Sequence, residues 1–78
     1  MNNWLYYDIE LFMKVLLNNK STLLDDGLTI KRLLDQIDIK HKYFAVEVNE
    51  QIVPKSNHDS FHIKEGDKIE IVTAIGGG

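Results

Sequence analysis

Three consecutive glycines, Gly76-Gly77-Gly78, directly follow the apolar run Ile69–Ile75. Glycine carries no side chain and follows almost any backbone path. Such a stretch suits a segment threaded through a narrow slot into another protein's active site. The group offered there would be the α-carboxylate of Gly78, with Gly76 and Gly77 as a slender stem. A glycine run at a chain end also fits simple fraying, so the remaining residues have to decide between the two.

No other set of residues competes with the glycines as a centre of chemistry. His58 and His62 have the four-residue spacing of metal ligands on a helix, but they fall in and beside the polar stretch Lys55–Ser60, without a helical stripe. No cysteine is present to complete a zinc set or form a disulfide. Both histidines, and His41 after the helix, are therefore expected to be solvated surface residues, and no metal site is expected. Ser21, Ser56 and Ser60 belong to turns and loops rather than to a sharp glycine-flanked elbow that would present a nucleophile. Asp25 and Asp26 precede Gly27, which is ordinary turn composition. The glycine cluster has no helix after it to turn amide dipoles on a phosphate. The chain does not read as an enzyme, and no cofactor of its own is expected.

Size and charge narrow the classes further. With 78 residues the chain makes one small domain, and a domain of this size buries only about 60% of the surface its unfolded chain exposes. That leaves little room for a deep catalytic cleft. A net charge of −3 provides no basic stripe for nucleic acid. No apolar stretch approaches the ~20 residues that cross a bilayer. Asn2, Asn3, Asp8 and Glu10 stand where a secretory signal would be basic. The expected address is the cytoplasm, with neither nucleic acid nor membrane as partner.

The elements that must position the glycines follow from periodicity. In the first twelve residues Trp4, Leu5, Asp8, Ile9 and Phe12 suggest a helical stripe, while Ile9, Leu11, Met13, Val15 and Leu17 alternate as a strand. The strand is preferred from about residue 8, with Lys14–Asn18 its firmest part. Asn18-Asn19-Lys20 supplies a turn, and Ser21–Leu24 returns as a second strand that ends at Asp25-Asp26-Gly27. Thr29 is a helix N-cap without a reciprocal acid, because Arg32 occupies that position. Ile30, Leu33, Leu34 and Ile37 mark one buried helical face. Tyr43–Val48 is a strand, and Asn49-Glu50 turns into Gln51-Ile52-Val53, kept short or at an edge by Pro54. Lys64–Asp67 forms a turn with Gly66 at positive φ, and Lys68–Ile75 is the last strand. Two strands, a helix, then three more strands predict an α+β fold, a β-grasp or ubiquitin-like roll: a mixed sheet with one main helix across one face. The last strand is expected beside the first. If Ile69, Ile71 and Thr73 face the helix, Val72 and Ala74 face the other way. Apolar groups exposed so close to the glycines would make a partner-docking patch.

Three segments carry a family resemblance: Val48–Lys55, Ile63–Ile71 and the closing Gly77-Gly78, with Gly27-Leu28-Thr29-Ile30 entering the Leu33-Leu34 helix. In this ordered set the chain resembles the ThiS family, sulfur carriers of thiamine biosynthesis, from about Met13 to Gly78. The resemblance implies the same β-grasp fold and a mechanism. An adenylating enzyme, ThiF, would use ATP and magnesium to activate the Gly78 carboxylate. Sulfur from a cysteine desulfurase or related donor would displace AMP and leave a thiocarboxylate. Thiazole synthase, ThiG, would take that sulfur. Met13 looks like the usual family start, so residues 1–12 are read as an N-terminal extension, residues 13–75 as the β-grasp domain and residues 76–78 as a flexible glycine tail. Two other readings stand beside this one: a MoaD-type sulfur carrier for molybdopterin synthesis, and a non-covalent β-grasp interaction module with an inert tail.

Overall fold

Alternating apolar residues build a hairpin first. A computed structural model describes residues 11–37 and 44–73, and in it strands β1 (Phe12–Leu17) and β2 (Lys20–Asp25) pair antiparallel with Met13 opposite Leu24 and Val15 opposite Thr22. Met13, Val15 and Leu24 are buried, and Leu17 packs against the same core. The intervening residues on β1 face away from it. Asn18 and Asn19 close the hairpin with φ of 49° and 69°. Two successive positive φ values match the twist of the flanking strands, and asparagine tolerates them better than most residues. The strand starts later than the alternation predicts: Leu11 lies in a bend and is exposed, and residues 1–10 fall outside the described region.

Gly27, at φ 80°, turns the chain into helix α1 (Ile30–Ile37). The Thr29 hydroxyl accepts the Arg32 amide at 3.2 Å, the N-cap its sequence suggests. Two further amides of the first turn are satisfied by a segment distant in sequence but adjacent in space. Ile30 N–H donates to the Phe61 carbonyl and Lys31 N–H to that of His58, each at 3.0 Å. These bonds fix the start of the helix, and Ile30 and Leu33 are buried in the core with Met13, Val15, Val46 and Ile69.

Strands β3 (Phe44–Val48), β4 (Gln51–Ile52) and β5 (Lys68–Thr73) complete a five-stranded sheet in the order β2-β1-β5-β3-β4. Strand β5 is central, parallel to β1 and antiparallel to β3. This is the β-grasp arrangement: a mixed sheet with the helix over one face and the other face uncovered among the described residues. The predicted placement of the last strand beside the first holds. Pro54 follows the short β4, and Gly66 takes φ 85° in the turn before β5, both as their residue types require.

One expectation is overturned. Lys55–Ser60 is not simply a polar loop: Lys55–Asn57 form a short 3-10 turn, and His58, read as solvated, is buried with 8% of its surface exposed. Its Nε2–H donates to the Val53 carbonyl at 3.1 Å, and its ring stacks on Phe44 with centroids 6.4 Å apart. A buried imidazole is acceptable once its N–H finds a carbonyl, and the 3-10 turn aims the ring inward. His62 does stay exposed, 3.2 Å from the Gly27 carbonyl through Nδ1. His41 lies outside the described residues.

Candidate functional site

Everything near the glycines depends on how β5 is held, because β5 leads into them. On one side it pairs with β3 along its length, from Val48 opposite Ile69 to Phe44 opposite Thr73. On the other side β1 runs out early: the last parallel pair is Leu17 with Ile69. The hydrogen-bond ladder nevertheless continues. Asn18 N–H donates to the Ile69 carbonyl at 2.8 Å, and the Asn18 side-chain Oδ1 accepts the Ile71 amide at 2.8 Å. A turn side chain thus stands in for a missing strand residue.

The start of β5 is secured similarly. Asn49, at φ 53° in the β3–β4 turn, accepts the Lys68 amide on Oδ1 and donates from Nδ2 to Asp67 Oδ1, both at 3.0 Å. Its backbone N–H donates to the Lys68 carbonyl at 2.8 Å. Asp67 Oδ2 accepts the Lys64 amide, and Glu65 Oε1 accepts the Lys14 amide. Two asparagines, one from each tight turn, therefore clamp the strand that carries the tail. Sequence reasoning assigned them turn duty only. Their local positions at Asn18-Asn19 and Asn49-Glu50 were legible, whereas bonds reaching 53 and 19 residues along the chain were not.

Of the predicted docking residues, Val72 is 54% exposed on the uncovered face, opposite the exposed Ala45 of β3. Ala74, Gly76, Gly77 and Gly78 lie outside the described residues. Ile71, on the other face, packs against the core as the alternation requires. Beside Val72 the uncovered face is acidic: Glu47 and Glu70 stand directly opposite each other on β3 and β5. Like charges in this position repel. Exposed Ile52 neighbours Glu47 on β4, and the face continues around the sheet edge into a cleft of about 490 Å³ lined by Phe44, Ala45, Ile52, Pro54, Lys55 and His58 among others. Because Phe44 pairs with Thr73, this cleft lies at the end of the sheet where β5 leads into the glycines.

The described residues offer no rival centre. No group of three or more His, Cys, Asp or Glu side chains comes together among them, and none of their helices is long and apolar enough to cross a membrane. The ion pair Lys31–Asp35, at 3.6 Å on exposed helix turns, is a surface contact of small weight.

With this geometry in hand, the likenesses to known proteins are specific. Residues 12–78 match the model of the ThiS family. The sulfur carrier protein ThiS of Escherichia coli is 32% identical over 66 residues, covering 85% of this chain and all of that one. A thiazole synthase of Paramagnetospirillum magneticum is 38% identical over 66 residues, yet the match spans only 20% of that longer protein. The crystal structure of the thiamine biosynthesis protein ThiS from Geobacter metallireducens superposes with a TM-score of 0.74 at 28% identity, covering 85% of this chain and all of that one.

Proposed function

The chain belongs to the ThiS family of sulfur carriers, and we propose that it carries sulfur as a thiocarboxylate on Gly78 for construction of the thiazole ring of thiamine. The observation that supports this most is that the family match runs through the glycines to Gly78, beyond a strand clamped on both sides. Glycine keeps the tail narrow whatever path it takes.

The chemistry asks little of this chain beyond presentation. A terminal carboxylate, with a usual pKa of about 3.3–3.7, is ionised near neutrality and resists attack by a sulfur nucleophile. An adenylating partner of the ThiF type, using ATP and magnesium, joins one carboxylate oxygen of Gly78 to AMP and releases pyrophosphate. The terminal sulfur of a persulfide on a cysteine desulfurase or related donor then attacks the activated carbonyl, and AMP leaves with that oxygen. A thiol cleaves the resulting acyl disulfide, which leaves the thiocarboxylate on Gly78 and a disulfide that a cellular thiol reductant reopens. The ATP and magnesium belong to the activating enzyme.

Thiazole synthase is the proposed acceptor. In its support, a domain similar to this chain forms a fifth of a protein named thiazole synthase. A carrier domain within the same polypeptide as the enzyme it serves is held at high effective concentration. Val72, with Ala74 beside it in sequence, would make the apolar contact, and the facing Glu47–Glu70 pair favours a partner surface that brings basic groups to it.

Extending the chain by one residue beyond Gly78 tests this reading. ATP–pyrophosphate exchange by the cognate adenylating enzyme is expected to disappear while the circular dichroism and melting of the carrier stay unchanged. Full exchange with the extended chain would refute Gly78 as the site of activation.

A further inference from the structure

The uncovered sheet face carries a second apolar patch, on its β1–β2 half. On β1, Phe12 and Leu16 point to this face and are 59% and 41% exposed; between them, on the neighbouring β2, Leu23 is 68% exposed. Leu23 stands opposite Lys14 and is therefore diagonal to both, within reach of side-chain contact on one face. β2 is also an edge strand of the sheet. An uncovered apolar edge invites association with other chains unless something covers it.

We infer that the aromatic segment ahead of β1, Trp4-Leu5-Tyr6-Tyr7-Asp8-Ile9, seats on the Phe12–Leu16–Leu23 patch of its own molecule. The segment is joined to the patch by Glu10 and Leu11 alone, so it is held there at a roughly millimolar or higher effective concentration. Its reach is sufficient: ten residues extend to ~33 Å, whereas Phe12 to Leu16 spans only ~13 Å of strand. Composition matches on both counts. Trp4, Tyr6 and Tyr7 supply large apolar faces with polar tips, suited to a partly wet surface. Asp8 and Glu10 are acidic, and on the same face the patch is bordered by two lysines, Lys14 and Lys68 (opposite Leu16), against one acid, Asp25 opposite Phe12. β1 and β5 run parallel, so the segment enters at the end of the sheet opposite the one from which β5 leads to the glycines. Occupying the β1–β2 half leaves Val72 and Ala45 free. This inference does not depend on the sulfur-carrier reading.

Trp4 is the only tryptophan, and there is no cysteine, which makes two clean probes available. In the full chain, Trp4 emission is expected to be blue-shifted and several-fold less quenched by acrylamide than N-acetyltryptophanamide, at dilutions where the protein sediments as a monomer. Leu23→Glu should return both to the free-indole values without changing the far-ultraviolet circular dichroism. Emission and quenching equal to free indole in the wild-type chain would overturn the proposal. Should Leu23→Glu fail to fold, a nitroxide on Asn3→Cys gives an independent reading. It should broaden the Leu16 and Leu23 methyl resonances of its own chain, and an absence of broadening would overturn the proposal. Broadening in a mixture of labelled unenriched chains with unlabelled enriched chains would place the segment on a second copy, which also overturns it.

Discussion

Replacing Gly77 by valine puts a branched Cβ where the proposed mechanism needs bare backbone. Valine excludes the positive-φ conformations glycine can use and stiffens χ1 as well. The fold should be untouched, so melting is expected to stay within ~0.5 kcal/mol of the wild type, as for surface changes generally. ATP–pyrophosphate exchange with the adenylating enzyme should fall by at least tenfold, and an unchanged rate would mean that the tail does not thread. The expectation for this residue rests on composition alone: three glycines after an apolar strand need no tertiary information. His58 shows the opposite case. Its neighbours Asn57, Asp59 and Ser60 are polar, so every local cue says solvent. Its burial depends on Phe44 and on the Val53 carbonyl, neither of which its own segment reveals.

At the scale of elements, the strand that carries the tail is stabilised by a side chain from a turn. Asn18→Gly keeps the positive φ that the turn needs and removes only the Oδ1 acceptor of the Ile71 amide. The expected loss is ~1 kcal/mol, read as a lower denaturant midpoint, with faster hydrogen exchange at Ile71 than at Ile69. Equal exchange at both amides would show that the clamp contributes nothing. Val72, the proposed docking residue, belongs to the same strand. Val72→Glu would add a third carboxylate beside Glu47 and Glu70 and remove the exposed apolar group. Binding to thiazole synthase or to the adenylating enzyme should weaken at least tenfold with little change in melting, and wild-type affinity for both would move the interface elsewhere. Periodicity made the helix, the hairpin and the inward and outward faces of β5 legible, because those follow from spacings of 3.6 and 2. The long-range asparagine bonds were invisible, since they need the strand order before they can be drawn.

At the scale of the molecule, the fold separates two tasks. A core under one face of the sheet, centred on Ile30, Leu33, Val46 and Ile69, supplies stability, while the β5–β3 half of the other face, around Val72, is the part proposed to meet partners. The central claim is that Gly78 carries sulfur. Intact-mass analysis of the protein isolated from its native cell under conditions that preserve thiocarboxylates tests it most directly, with fragmentation to locate any change, because oxidation of a methionine adds nearly the same mass. The expected result is a population in which one oxygen is exchanged for sulfur, localised to Gly78, trapped by alkylation and increased when thiazole synthase is absent. A C-terminal fragment that keeps both oxygens under every condition, including when the adenylating enzyme and sulfur donor are abundant, would contradict the account.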